Sequence, residues 1–139
     1  MTSTETPTIT QVSELLAHHG YDAAAAGDCL HVRDVETGIA FEVVLQGNIL
    51  YMTVNLTTLP DTVLTSEMMR QMLDAHNGIS TSAFQLYHVA PGMSAITLNN
   101  FCTLQDMGPE DQDDILSLAG YLMADLLVAR DLLEPVTAS

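Results

Sequence analysis

At 139 residues, 47% of them hydrophobic and 15% charged, the chain has one domain's length and a folding composition, which excludes disorder as its ground state. Against 18 acidic residues stand only Arg33, Arg70 and Arg130, with no lysine, for a formal net charge of −15. Nucleic acid and anionic membranes therefore have no electrostatic footing here, and a protein or peptide partner is expected to be basic or apolar.

The predicted elements begin after a flexible segment, 1–7. Thr8 and Gln11 have capping-box spacing, and Val12, Leu15, Leu16 and His19 follow at helical spacing. That gives a first helix over roughly 9–19, with Gly20 as its stop. "GYDAAAAGD" (20–28) is read as a loop or a single helical turn, because Gly20 and Gly27 bracket the alanines closely. Three alternating runs follow, 28–35, 38–46 and 48–56, joined by the short turns "ETG" and "QGN". Short turns between period-two runs predict an antiparallel meander. A connector with Pro60 leads to a helix from Ser66, with Met68, Met69, Met72, Leu73 and His76 as its apolar stripe and Asn77-Gly78 as its stop. Two further strands, 82–89 and 93–101, are joined by "APGM".

Five carboxylates crowd "DMGPEDQDD" (106–114). Proline suits the first position of a helix, where its missing N–H would have no helical partner, and acids suit the positive end of the helix dipole. Ile115, Leu118, Ala119, Leu122, Leu126, Ala129 and Leu133 then form a helical stripe, and 135–139 is expected to be a flexible end. The acids are thus a helix start. A calcium loop beginning at Asp106 would need glycine and glutamate where Asp111 and Ser117 stand.

The order is α-β-β-β-α-β-β-α, an α+β domain over 8–134 with a single five-stranded antiparallel sheet and helices packed on it. That order, with "MLDAHNG", "AFQLYHV", "SAITLNNFCTLQDM" and "GPEDQDDILSLAGYLMADLLV" in succession, resembles the type III secretion chaperones and the YbjN-like bacterial proteins. Asn77, Phe84, Leu86, Leu98, Pro109 and Glu110 fall at the matching places; the "APGM" turn and Asn99-Asn100 depart from the pattern. An uncharacterised bacterial family such as the YjfI-like proteins fits the same resemblance. It implies a homodimer without catalytic residues that binds a peptide segment or another protein.

The residues themselves show little chemistry. His18, His19, His31, His76 and His88 have no HxH, HxxxH or HExxH spacing, so no metal is expected. Cys29 and His31 share a strand face, but Asp34 falls on the other, so the strand has no third member and the pair reads as incidental. Cys29 and Cys102 form no CxxC pair, "MTSTETPTIT" lacks the features of a secretory signal, and no apolar run approaches the ~18 residues of a membrane span. A cytoplasmic protein is expected. Three helices leave apolar side chains of a five-stranded sheet uncovered. Val44, Tyr51, Met68, Met72 and Tyr87 are the candidate partner-binding residues, the methionines because flexible thioethers adapt to varied surfaces. For Met69 and Met72 core packing is the competing reading. The expected function is a non-enzymatic, chaperone-like module that binds a protein or peptide, with no catalytic residue, metal or cofactor. A regulatory or stress-associated scaffold docking one folded partner is the first alternative, and a metal-dependent or thiol enzyme the second.

Overall fold

Thr8 caps the first helix as its spacing predicts: its hydroxyl accepts from the Gln11 N–H at 3.3 Å, while the Thr8 N–H donates to Gln11 Oε1 at 2.9 Å. In the computed structural model the backbone is described for residues 7–137 and side chains as far as Leu133. The flexible ends expected at 1–7 and 135–139 thus fall mostly outside the described residues; Pro7 is buried, and the backbone at 135–137 continues the last helix.

The elements are α1 (Ile9–Ala17), β1 (Tyr21–Ala26), β2 (Cys29–Asp34), β3 (Ala40–Gln46), β4 (Ile49–Pro60), a 3-10 turn (Asp61–Val63), α2 (Ser66–Leu73), β5 (Ala83–Ala90), β6 (Met93–Thr103) and α3 (Pro109–Thr137). The strands form one antiparallel sheet in the order β1-β2-β3-β4-β6-β5. The sheet has six strands rather than the expected five, because the alanine segment is β1 and not a loop or helical turn. Alanine's preference for helix amounts to less than about 1 kcal/mol per residue, and tertiary context overrides it. Here β1 pairs with β2 from Tyr21↔Asp34 to Ala26↔Cys29, Arg33 Nη2 meets Asp22 Oδ2 at 3.1 Å, and the Tyr21 ring stands edge-on to Phe41. Gly27, at φ +64°, makes the two-residue turn that lets the chain reverse.

The described chain gathers into two compact units. The first comprises the chain up to Thr53 with Asn100–Gly120, the second Val54–Asn99 with the chain from Tyr121 on. In the first unit Val12, Leu16, Leu30, Val32, Phe41, Val43, Leu50, Met52, Leu104 and Ile115 are buried. They are the inward-facing members of the alternating and helical patterns. Buried Asp111 closes this unit's 104–111 corner: its Oδ2 accepts from the backbone N–H groups of Gln105, Asp106 and Met107 at 2.7, 3.0 and 2.8 Å.

In the second unit Met68, Met72, Ile96 and Leu133 form a core cluster, with Leu56, Leu59, Leu64, Met69 and Phe84 packed against it. α2 stops at Leu73, short of the expected His76, because Asp74 leaves helical geometry at ψ 132° and its side chain accepts the His76 N–H. Asn77 Nδ2 then donates to the Met72 carbonyl at 2.7 Å and satisfies a helix-end acceptor. The loop that follows is held by Asp125 of α3, which is buried. Its Oδ1 accepts from Ser80 N and Ser80 Oγ, both at 2.9 Å, and its Oδ2 from Thr81 N and Ser82 N, both at 3.1 Å. This anchor fixes where β5 begins.

Candidate functional site

β5 is an end strand of the sheet, and its sequence "AFQLYHVA" carries no charge. Edge strands present unpaired N–H and C=O groups, and proteins commonly blunt them with lysine, proline or inward-pointing charge. β5 has none of these within its span; a register irregularity between His88 and Ala90 is its one interruption. Leu86 is 45% exposed, Tyr87 47% and Val89 54%. Beside this edge, Met69, Met72 and Leu73 of α2 face Phe84, Gln85 and Leu86 across an apolar cleft of about 210 Å³. Leu73, at the end of α2, is 80% exposed at its rim. A second concavity, bounded by Ser66, Arg70 and Asp74, lies along the same Met69–Leu73 ridge. Together these features can accept an extended chain: backbone groups for pairing, and a cleft for apolar side chains at alternate positions.

The candidate partner-binding residues divide among three environments. In the second unit, Tyr87 is exposed on β5 and its hydroxyl donates to Gln85 Oε1. In the first unit, half-buried Val44 pairs across strands with exposed Tyr51, whose ring stands 6.1 Å from that of exposed Phe101. The expectation that Met68 stays uncovered is corrected. Met68 is 1% exposed and packs in the second unit's core, and Met72, at 5%, reaches the cleft only as its floor. Helical spacing makes Met69 and Leu73 the residues of α2 that a partner can reach, and Leu73 and the β5 edge were missed from the sequence. A signal was available: from Ala75 to Gln105 no Asp, Glu, Lys or Arg occurs in a chain otherwise rich in acids.

The histidines remain dispersed. His19 Nδ1 contacts the Leu15 carbonyl at 2.8 Å, His76 lies 3.7 Å from Asp74, and His31 Nδ1 lies 3.6 Å from Glu42 Oε1. Among the described residues no group of three or more His, Cys, Asp or Glu side chains is arranged to hold a metal ion. The acidic run at 106–114 contributes Asp111 to a backbone anchor, and Asp106 Oδ1 accepts from Gly108 N at 2.9 Å. Among the described residues no helix is long and apolar enough to cross a membrane.

No protein-family model matches the chain, and no curated protein matches it. Among solved structures it is similar to the crystal structure of YbjN from E. coli, described as a candidate transcription regulator. The two share 13% sequence identity with a TM-score of 0.69, over 95% of this chain and 97% of that one. A likeness of that degree over nearly the whole length of both chains gives this chain a YbjN-like fold.

Proposed function

We propose that this chain is a non-enzymatic, chaperone-like binding module of the bacterial cytoplasm, and that it captures an extended peptide segment along β5. The uncharged, apolar β5 edge beside the Met69–Leu73 cleft is the observation that carries this reading. The fitting segment has apolar side chains at alternate positions, which enter the cleft, and basic residues in its flanks, which complement Asp74 and a chain of net charge −15. A panel of unrelated extended peptides, with and without that pattern, tests the reading by fluorescence anisotropy. Patterned peptides should bind, and Leu86→Lys should weaken them about 30- to 100-fold, the effect of losing one buried anchor. Because Leu86 is already exposed, its variant should melt like the parent. Equal binding by patterned and unpatterned peptides, or no loss in Leu86→Lys, would count against the site.

A second copy of the chain is the other partner proposed. Exposed Tyr51 and Phe101, whose rings lie side by side at a tilt of 41° in the first unit, support an apolar contact. At −15 per subunit such a dimer forms against charge repulsion, so salt should strengthen it. Sedimentation in about 20 mM and about 500 mM salt, which span Debye lengths of tens to a few Å, should show more dimer at the higher. A dimer that salt dissociates, or a monomer in both, would refute it.

The alternative of a regulatory scaffold is favoured by the likeness to YbjN, described as a candidate transcription regulator. With three arginines in the chain, and Arg33 already paired to Asp22, any such role would run through a protein contact and not through DNA.

A further inference from the structure

We propose that Cys29 is a reactive thiol that undergoes exchange with low-molecular-weight disulfides, with His31 as its proton acceptor and Glu42 as the group that positions the imidazole. β2 places Cys29 and His31 on one face, and the Cys29 Sγ lies 3.9 Å from His31 Nε2. The third group, missing from β2 itself, comes from the neighbouring strand. Glu42 of β3 is the cross-strand partner of His31, and its Oε1 lies 3.6 Å from His31 Nδ1. Asp34, on the opposite face of β2, is occupied by the N–H and hydroxyl of Thr37. A carboxylate beside Nδ1 favours the tautomer that carries its proton there, which leaves Nε2 free to accept one from sulfur.

The surroundings leave the thiol approachable. Its cross-strand neighbours are Ala26 of β1 and Val44 of β3, and the Cys29 sulfur also contacts the Ala26 carbonyl at 3.5 Å. The charged or titratable groups on its face are His31, Glu42 and, farther along, the Arg33–Asp22 pair, with Asp28 next to it in the turn. Acids outnumber cations there, so a cationic disulfide is favoured over an anionic one. The other cysteine is a built-in control. Cys102 is half-buried like Cys29, but burial, followed by the carboxylates of Asp114 and Asp111, pushes its thiol up to about 11.

In the exchange, the Cys29 proton passes to His31 Nε2 as sulfur attacks one sulfur of the disulfide. The new Cys29–S–S–R bond forms while the R–S–S–R bond breaks, and the departing thiolate takes the proton back from the imidazolium. One thiol is released per adduct, and no other oxidant is needed.

Cystamine is the probe, with intact-mass and peptide mass spectrometry as the readout. At pH 7 the adduct should appear on Cys29 and not on Cys102. His31→Gln should slow the reaction tenfold or more, while Glu42→Gln should slow it severalfold and Glu42→Asp, which keeps a carboxylate beside the ring, should restore most of the rate. Both positions are exposed strand sites, and melting curves check that the variants fold. Equal rates for Cys29 and Cys102, or an unchanged rate in His31→Gln, would overturn the assignment. An unchanged rate in Glu42→Gln, or a Glu42→Asp variant as slow as Glu42→Gln, would overturn the role given to Glu42.

Discussion

Asp125→Ala should be the most damaging single polar substitution in the second unit, destabilising by about 3 kcal/mol, as expected when the charged acceptor of several hydrogen bonds is removed. Its carboxylate is buried and takes four hydrogen bonds from Ser80, Thr81 and Ser82. Alanine leaves three backbone N–H groups and a hydroxyl without their acceptor; a buried unsatisfied donor costs about 1–3 kcal/mol, and water replaces part of the loss at the exposed Ser80 and Thr81. For a chain of this size the melting temperature should fall by roughly 10 °C. Asparagine would put an amide NH2 where donors already point, so Asp125→Asn should lose nearly as much. Ser80→Ala, which removes one of four donors, should cost only about 1 kcal/mol. The effect also has a pH signature. Burial pushes the Asp125 carboxyl up, but the donors of Ser80, Ser82 and Thr81 together outweigh it and hold the group below its usual range. A carboxyl held low in the folded state contributes its stability fully above its unfolded value, about 3.9, and loses it as pH falls through the lower folded value. Urea titrations at pH 7 should therefore separate wild type from Asp125→Ala widely, and the gap should narrow as pH falls below about 3.9. Equal stability at pH 7 would show that the loop is held by other means.

That anchor also shows which parts of the molecule could be read in advance. Period-two alternation located β2, β3, β4 and β6, since Leu30, Val32, Phe41, Val43, Leu50, Met52, Ile96 and Leu98 all point inward where the pattern puts them; β5 also lies where it was expected, but only Phe84 on it is half-buried and Leu86 is exposed. The Thr8–Gln11 cap and Pro109 marked two helix starts because both depend on neighbours three or four residues away. What escaped was set by partners distant in sequence. Ala23–Ala26 form a strand because β2 pairs with them, and their local preference points to helix. The stripe on α2 was visible, but a single helix does not say which of four apolar residues meets the core; Met68 and Met72 do, and Met69 and Leu73 border the cleft. Glu42 joins Cys29 and His31 only across the β2–β3 register. The role of Asp125 rests on contacts with residues 43 to 45 positions earlier. The charge-free run from Ala75 to Gln105 is the sequence feature that, read against an acidic whole, points to the β5 edge.

Asp111→Ala should destabilise the first unit by about 3 kcal/mol, for a reason that also decides the fate of the acidic run. One oxygen of Asp111 takes the N–H groups of Gln105, Asp106 and Met107. Met107 sits at φ 60°, the one left-handed conformation at a residue other than glycine among the described residues, and such a conformation costs about 1–2 kcal/mol. Three converging donors hold that backbone shape in place. Without the carboxylate the corner loses its acceptor and keeps its strain. Gln105 and Asp106 are exposed, so water replaces part of the loss, as it does at Asp125. The same geometry makes this a poor calcium site, because the buried oxygen of Asp111 already faces N–H groups, Asp106 Oδ1 takes the Gly108 N–H, and Glu110, Asp113 and Asp114 are exposed in the first turns of α3. A ligand at a hundred times its dissociation constant stabilises by about 2.7 kcal/mol, enough to raise the melting temperature by several degrees. Millimolar calcium, magnesium or zinc should leave melting of the wild type unchanged, while Asp111→Ala melts well below it. A clear rise with calcium, or an Asp111→Ala variant as stable as wild type, would mean that the run binds a cation and does not serve chiefly to pin the 104–111 corner.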